Sequence, residues 1–220
     1  CSVVGAADWP TYRHDNQRTG ATPERLDAPK LRQHWLWRSP HPPQPAWAGP
    51  AKWDAYHNIR KLRSMRNYDP VFHLIAVGDA IYFGSSADDT VRCLDARTGA
   101  VRWFFQADGP VRLPPSFADG KLYFGSDDGT AYCIRASDGR PVWTFTPSPQ
   151  TRLLLNNGRL ISYWPIRTGV AVDRGTAYFA AALLPWRPSY LCAVDAATGK
   201  PEGPGRYVVR HDGLTPEGPL

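Results

Sequence analysis

Long apolar runs are missing from this chain. No stretch reaches about 18 apolar residues, which excludes a membrane-spanning helix, because a hydrocarbon core takes about 20. Cysteine is sparse, and Cys1, Cys93, Cys133 and Cys192 form no C-x-x-C pair, so a paired-cysteine zinc site has no footing. C-x-x-C-H is absent too, which leaves no attachment point for covalent haem in this segment. His14, His34, His41, His57, His73 and His211 never fall at H-x-x-x-H or another ligand spacing. There is no G-x-S-x-G elbow, P-loop or dinucleotide fingerprint.

Turn formers and aromatic residues are abundant instead. The 220 residues hold 22 Pro, 19 Gly and nine Trp but a single Met, a mixture suited to short strands joined by turns. With 42% apolar and 21% charged residues the chain reads as folded and globular. The formal charge of +6 permits attraction to polyanions or acidic envelope polymers. Part of the excess lies in "NIRKLRSMRN", which holds Arg60, Lys61, Arg63 and Arg66. Loose positive charge without a base-reading pattern predicts no nucleic-acid partner. A solvated loop face is the plainer reading of that cluster.

The organising signal is a repeat. "CLDARTGAVRW" at 93–103 returns as "CIRASDGRPVW" at 133–143, and Tyr82-Phe83-Gly84-Ser85 returns as Tyr123-Phe124-Gly125-Ser126. A period near 40 residues signals propeller blades or solenoid units. Each unit reads as a four-strand meander: "PVFHLIAVGD", then "AIYFGS", an Asp-rich turn, "TVRCLDA", a turn ending in Gly99, and "AVRWFF". Gly99 supplies a left-handed turn residue and Asp95 accepts turn N–H groups. Trp103 and Trp143 are expected to fill the wedge between neighbouring sheets, and Cys93 and Cys133 to fit inward strand positions. A looser third unit carries Tyr178-Phe179, Cys192, Asp195 and Gly199. It lengthens one hairpin with "LLPWRPS" and puts Gly203 where a third Trp is expected, so it either docks through Tyr207 or ends irregularly. Cys192 is assigned to the same repeat position as Cys93 and Cys133, and all three are expected as small core residues. Equivalent positions on successive blades lie beyond the ~4.4–6.8 Å Cα separation of a disulfide.

"LDARTGAVRW" resembles the tryptophan-docking repeat of the pyrroloquinoline-quinone (PQQ)-type β-propellers, among them quinoprotein alcohol dehydrogenases and outer-membrane assembly lipoproteins. "DWPTYRHDNQRTGATPERL" at 8–26 is similar to the segment that precedes the first blade, and "LRQHWLWR" to the strand that closes the ring. The implied fold is all-β: a partial propeller of four-stranded antiparallel blades, about three present out of seven or eight. Residues 1–7 read as the end of an export signal, with Gly5 and Ala7 before Asp8, or as a lipidated Cys1, or the sequence simply starts there. Then follow the leading segment 8–38, a Pro-rich and basic insertion 39–69, blades at 70–110, 111–150 and 151–210, and the start of another at 211–220.

The resemblance covers enzymes and non-enzymes. A quinoprotein would imply PQQ, adjacent cysteines against the quinone, and a Glu-Asn-Asp set around Ca2+. No adjacent cysteines occur, and Asp88-Asp89 and Asp127-Asp128 read as hairpin turns. The expectation is therefore an exported, non-catalytic scaffold of the periplasm or envelope with a protein or polymer partner. A quinoprotein oxidoreductase with its site in other blades is the alternative. A third reading places polymer binding on the insertion, through Trp53, Tyr56, Arg60, Lys61, Arg63 and Arg66 beside Trp47.

Overall fold

The structure is a computed structural model that describes residues 7–25, 27–43, 71–156, 158–184, 187–215 and 218–219. Three meanders dominate it. The first sheet runs β1 (Leu74–Val77), β2 (Ala80–Ser85), β3 (Thr90–Asp95) and β4 (Val101–Gln106). The second runs β5 (Ser116–Ala118), β6 (Lys121–Gly125), β7 (Ala131–Arg135) and β8 (Pro141–Phe145). A separate hairpin follows, β9 (Leu153–Asn156) with β10 (Arg159–Ser162). The third sheet is β11 (Ala171–Asp173), β12 (Thr176–Ala181), β13 (Ser189–Asp195) and β14 (Tyr207–His211). All neighbours are antiparallel and consecutive. The all-β partial propeller stands, with one short 3-10 turn at Ala28–Lys30 as its helical content among the described residues.

Alternation along a strand explains how one sheet buries two faces. On β6, Leu122 and Phe124 join the core between the first two sheets, while Tyr123 joins the core between the second and third. All three are at most 1% exposed. Isolated four-stranded sheets could not do this; stacking them can.

Three indoles fasten the stack. The Nε1 of Trp103 donates to the Ala136 carbonyl at 3.1 Å, and that of Trp143 to the Ala196 carbonyl at 2.9 Å. Trp35 repeats the contact on the Ala96 carbonyl at 3.0 Å. Each ring lies flat on the glycine that ends the next sheet's turn. A Cβ on Gly99, Gly139 or Gly199 would meet Trp35, Trp103 or Trp143 at 2.6 Å, and all three glycines have φ near +72°. Glycine is required there twice over, by backbone hand and by the indole. The residue two places on then packs into the next sheet: Trp37 on Phe83 at 5.2 Å, Phe105 on Phe124 at 5.9 Å, Phe145 on Phe179 at 6.1 Å. Residues 31–38, expected as a ring-closing strand, form no ladder among the described residues, because no strand lies beside them to pair with; Trp35 and Trp37 nonetheless occupy the places of a preceding outer strand.

The third sheet departs from the repeat by one residue. Cys93 pairs with Tyr82 and Cys133 with Tyr123, but Cys192 pairs with Phe179, and Ala193 takes the place opposite Tyr178. A one-residue slip turns a side chain to the opposite face. The equivalence of Cys192 with Cys93 and Cys133 is thus corrected: Cys192 faces the second sheet, as Tyr132 faces the first. All three cysteines are free and buried. The same register puts Tyr207 opposite Ala193, where Trp103 and Trp143 stand opposite Cys93 and Cys133.

At the inner edge, the leading segment crosses all three sheets. Trp9 bridges Ala76 of β1 in both directions (2.7 and 3.1 Å), the Pro10 carbonyl accepts from Phe117 N of β5 (2.7 Å), and Asn16 Nδ2 donates to the Val172 carbonyl of β11 (2.8 Å). Thr11 and Ser116 share a buried hydroxyl hydrogen bond of 2.8 Å.

The turns carry their own electrostatics. Hydrogen bonds from Arg102, then from Thr98 and Arg97, hold the Asp95 carboxyl well below the usual carboxylate range. Asp195 is lowered likewise, first by the Thr198 hydroxyl. A depressed folded-state pKa stabilises above about pH 4 and that contribution is lost as pH falls. Asp95→Asn should therefore flatten part of the acid-side decline in melting temperature of the full-length protein between about pH 5 and 2. A second expectation isolates the indole. Gly120 also has φ +71° but open space around its missing Cβ. Gly120→Ala should cost about 1–2 kcal/mol for its hand alone, and Gly139→Ala clearly more; in a Trp103→Ala background that excess should vanish in denaturant titrations.

Candidate functional site

The β2–β3 and β6–β7 turns and the links between sheets all lie at one end of the stack, opposite the indole docking. Why the strand before those turns reads Tyr-Phe-Gly-Ser is now plain. The link into the next sheet presses on the glycine: a Cβ on Gly84 would meet Val111 at 2.6 Å, and on Gly125 it would meet Ile166 at 2.2 Å. Ser126 Oγ donates to the Gly109 carbonyl at 2.9 Å, and Ile166 N donates back to the Ser126 carbonyl at 3.0 Å. Both links carry a Pro-β-branched-Arg tripeptide, Pro110-Val111-Arg112 and Pro165-Ile166-Arg167.

Those arginines converge on one carboxylate. Asp127 is fully buried; its Oδ1 accepts from Arg167 Nε and its Oδ2 from Arg167 Nη2 and Arg112 Nε, each at 2.7 Å. Its backbone is engaged too, N–H to the Pro110 carbonyl at 2.9 Å and carbonyl to Ser162 N at 2.8 Å. Two guanidiniums thus share one buried carboxylate. Next to it, Arg159 of β10 reaches across to Asp89 and the Ala87 carbonyl in the first sheet's turn. Burial raises the Asp89 carboxyl, against the pull of Arg159. Burial also raises Asp128, whose oxygens meet Thr130 N (2.7 Å) and the Tyr132 hydroxyl (2.6 Å).

The β9–β10 hairpin stands on this end. Leu155 faces Leu160 across the ladder, and Leu153, Leu155 and Leu160 are 52%, 73% and 62% exposed. The opposite face turns Ile161 into the core at 1% exposure.

The repeat residues lie toward the other end: Gly99, Gly139 and Gly199 in the docking turns, Asp95 and Asp195 at the strand ends that lead into turns, Trp103 on β4 and Trp143 on β8. Cys93, Cys133 and Cys192 sit between sheets, where burial pushes their thiols up to about 11, 12 and 12. Trp53, Tyr56, Arg60, Lys61, Arg63, Arg66 and Cys1 lie outside the described residues. Sequence reading took Asp127 only as part of a hairpin turn and passed over Arg112, Arg167 and Arg159. The repeated Pro-Val/Ile-Arg was the available signal, hidden because the hairpin breaks the 40-residue spacing.

The Ca2+ implied by the dehydrogenase resemblance does not fit these carboxylates. Calcium takes 6–8 oxygens, yet both oxygens of Asp127 hold guanidiniums, Asp88 holds Thr90 and Arg92, and Asp89 holds Arg159. At the inner edge, a cleft of about 640 Å3 beside the leading segment is no different. Asp15 is engaged by Thr19, which lowers it to about 2, Asp8 by Gly78 N, and Asp173 by Arg174. No group of three His, Cys, Asp or Glu among the described residues is placed to hold a metal.

A family model of PQQ-type repeats, described as outer membrane protein assembly factor BamB, matches residues 34–202. The chain belongs to this family. It is 31% identical over 140 residues, 56% of its length, to the polyvinylalcohol dehydrogenase of Sphingopyxis sp. (strain 113P3). Among solved structures it is similar to the quinohemoprotein alcohol dehydrogenase of Comamonas testosteroni, with a TM-score of 0.63 at 19% identity over 96% of this chain. It is also similar to BamB of Moraxella catarrhalis, with a TM-score of 0.41 at 20% identity, covering 61% of this chain and 34% of that one. The chain spans 20% of the polyvinylalcohol dehydrogenase and 28% of the Comamonas enzyme. No helix among the described residues is long and apolar enough to cross a membrane.

Asp127 offers the direct test of this end. Asp127→Asn removes the buried charge that both guanidiniums share and should cost about 3 kcal/mol in denaturant titrations of the full-length protein. It should also raise protease sensitivity at both sheet-to-sheet links.

Proposed function

We propose that this chain is part of an exported, non-catalytic propeller that serves as an interaction scaffold at the cell envelope, with a protein partner seated on the β9–β10 hairpin. The exposed cross-strand leucines carry this reading. Clustered exposed apolar side chains beside ion-paired turns mark interaction sites, and this hairpin is an addition to the repeat rather than a part of it. The carboxylates around it are committed to arginines and hydroxyls, and the buried thiols have raised pKa values, so neither group is poised for acid–base or nucleophilic work. The family description as an assembly factor is in keeping with a scaffold.

A photo-crosslinking residue placed at 155 in the full-length protein should trap one protein of discrete mass in cells. That adduct should disappear with Leu160→Asp while the melting temperature holds. The decisive counter-test adds PQQ and Ca2+ and assays alcohol oxidation with an artificial electron acceptor. Cofactor-dependent turnover would overturn the scaffold.

The similarity to polyvinylalcohol dehydrogenase favours a second reading, a quinoprotein oxidoreductase whose reacting groups lie in other blades. It requires a quinone absorbance band after reconstitution.

A further inference from the structure

The hairpin end carries a second feature, independent of the scaffold reading. Beside the exit from β8 and the start of β13 lies a cavity of about 510 Å3, within the ~300–1,000 Å3 range of small-ligand sites. Its apolar part is rigid. Trp164 and Tyr190 are 4% and 6% exposed and meet edge to face at 6.1 Å. The Trp164 Nε1 is anchored on the Pro188 carbonyl at 2.7 Å.

Three arginines line the same cavity, and its described lining residues include no carboxylate. Elsewhere the sheets' arginines find aspartates: Arg92 with Asp88, Arg102 with Asp95, Arg159 with Asp89, Arg206 with Asp195. Arg152 and Arg187 do not. Their guanidinium carbons stand 5.3 and 5.7 Å from the centre of the Tyr163 ring, and neither makes an ion pair among the described residues. The Nε of Arg187 is buried with no acceptor among them. Arg210 meets Asp212 at 2.6 Å, but both side chains are about half exposed, so solvent weakens that pair.

We propose that this cavity binds an oxyanion, a carboxylate or phosphate borne on a small ligand, gripped by Arg152 and Arg187 with Arg210 at the mouth. A guanidinium fork matches such an anion with two parallel hydrogen bonds. The aromatic wall lowers the local dielectric and strengthens them. Contact with Tyr163 restrains both arginines beforehand, which reduces the ordering cost of binding.

Phenylglyoxal labelling of arginines in the full-length protein, read by peptide mass, tests this. Inorganic phosphate or D-glucuronate should protect Arg152 and Arg187 saturably, while neutral glucose should not. Protection by only one of the two anions assigns the ligand chemistry to phosphate or to carboxylate. In calorimetry, the Arg152→Gln/Arg187→Gln double variant should bind the protecting anion about tenfold or more weakly and with a shallower salt dependence, its thermal melt unchanged. Labelling that neither anion alters, or that glucose alters equally, overturns the proposal, and so does undiminished binding by the double variant.

Discussion

An indole lying flat on a left-handed glycine is the contact on which the rest of this structure depends. The glycine must be glycine because its backbone is left-handed and because the ring occupies the space of a Cβ. The Nε1 hydrogen bond to an alanine carbonyl then fixes the ring's direction, so each sheet is set at a defined place against the next. Everything at the far end, from the links pressed on Gly84 and Gly125 to the guanidiniums around Asp127, inherits its geometry from that setting.

The two ends of the stack follow different rules. At the docking end the repeat is kept, because a misplaced indole would open the seam. At the other end the chain departs from it, with a hairpin inserted before the third sheet and arginines recruited from successive links. Rigid repeats commonly leave one end free to vary in this way, and that is where partners and ligands meet such folds.

Much of this was legible in the residues. Two copies of Cys, turn glycine and Trp at equal spacing give the wedge, and the looser third copy around Tyr178-Phe179 and Gly199 completes the sheet number. Cys192 shows the limit of such reading: it looks like a third copy, yet one added residue between it and Asp195 turns it to the opposite face, and only the ladder register reveals this. Trp35 could have been read as a docking residue, since Trp35-x-Trp37 matches Trp103-x-Phe105 and Trp143-x-Phe145. The Asp127 cluster was legible only in part: Pro-Val/Ile-Arg recurs, but nothing in its spacing says that both arginines reach one buried carboxylate.

The leading segment sets the order in which the molecule can be built. Each meander closes through neighbours a few residues apart, whereas Asn16 reaches Val172 across 156 positions and Trp9 reaches Ala76 on a strand from another sheet. Such distant pairings form slowly and reward the chain only once their targets exist. The leading segment, made before the three sheets, is thus fully seated only after them, and a nascent chain holds Asn16 in waiting until the third sheet has condensed.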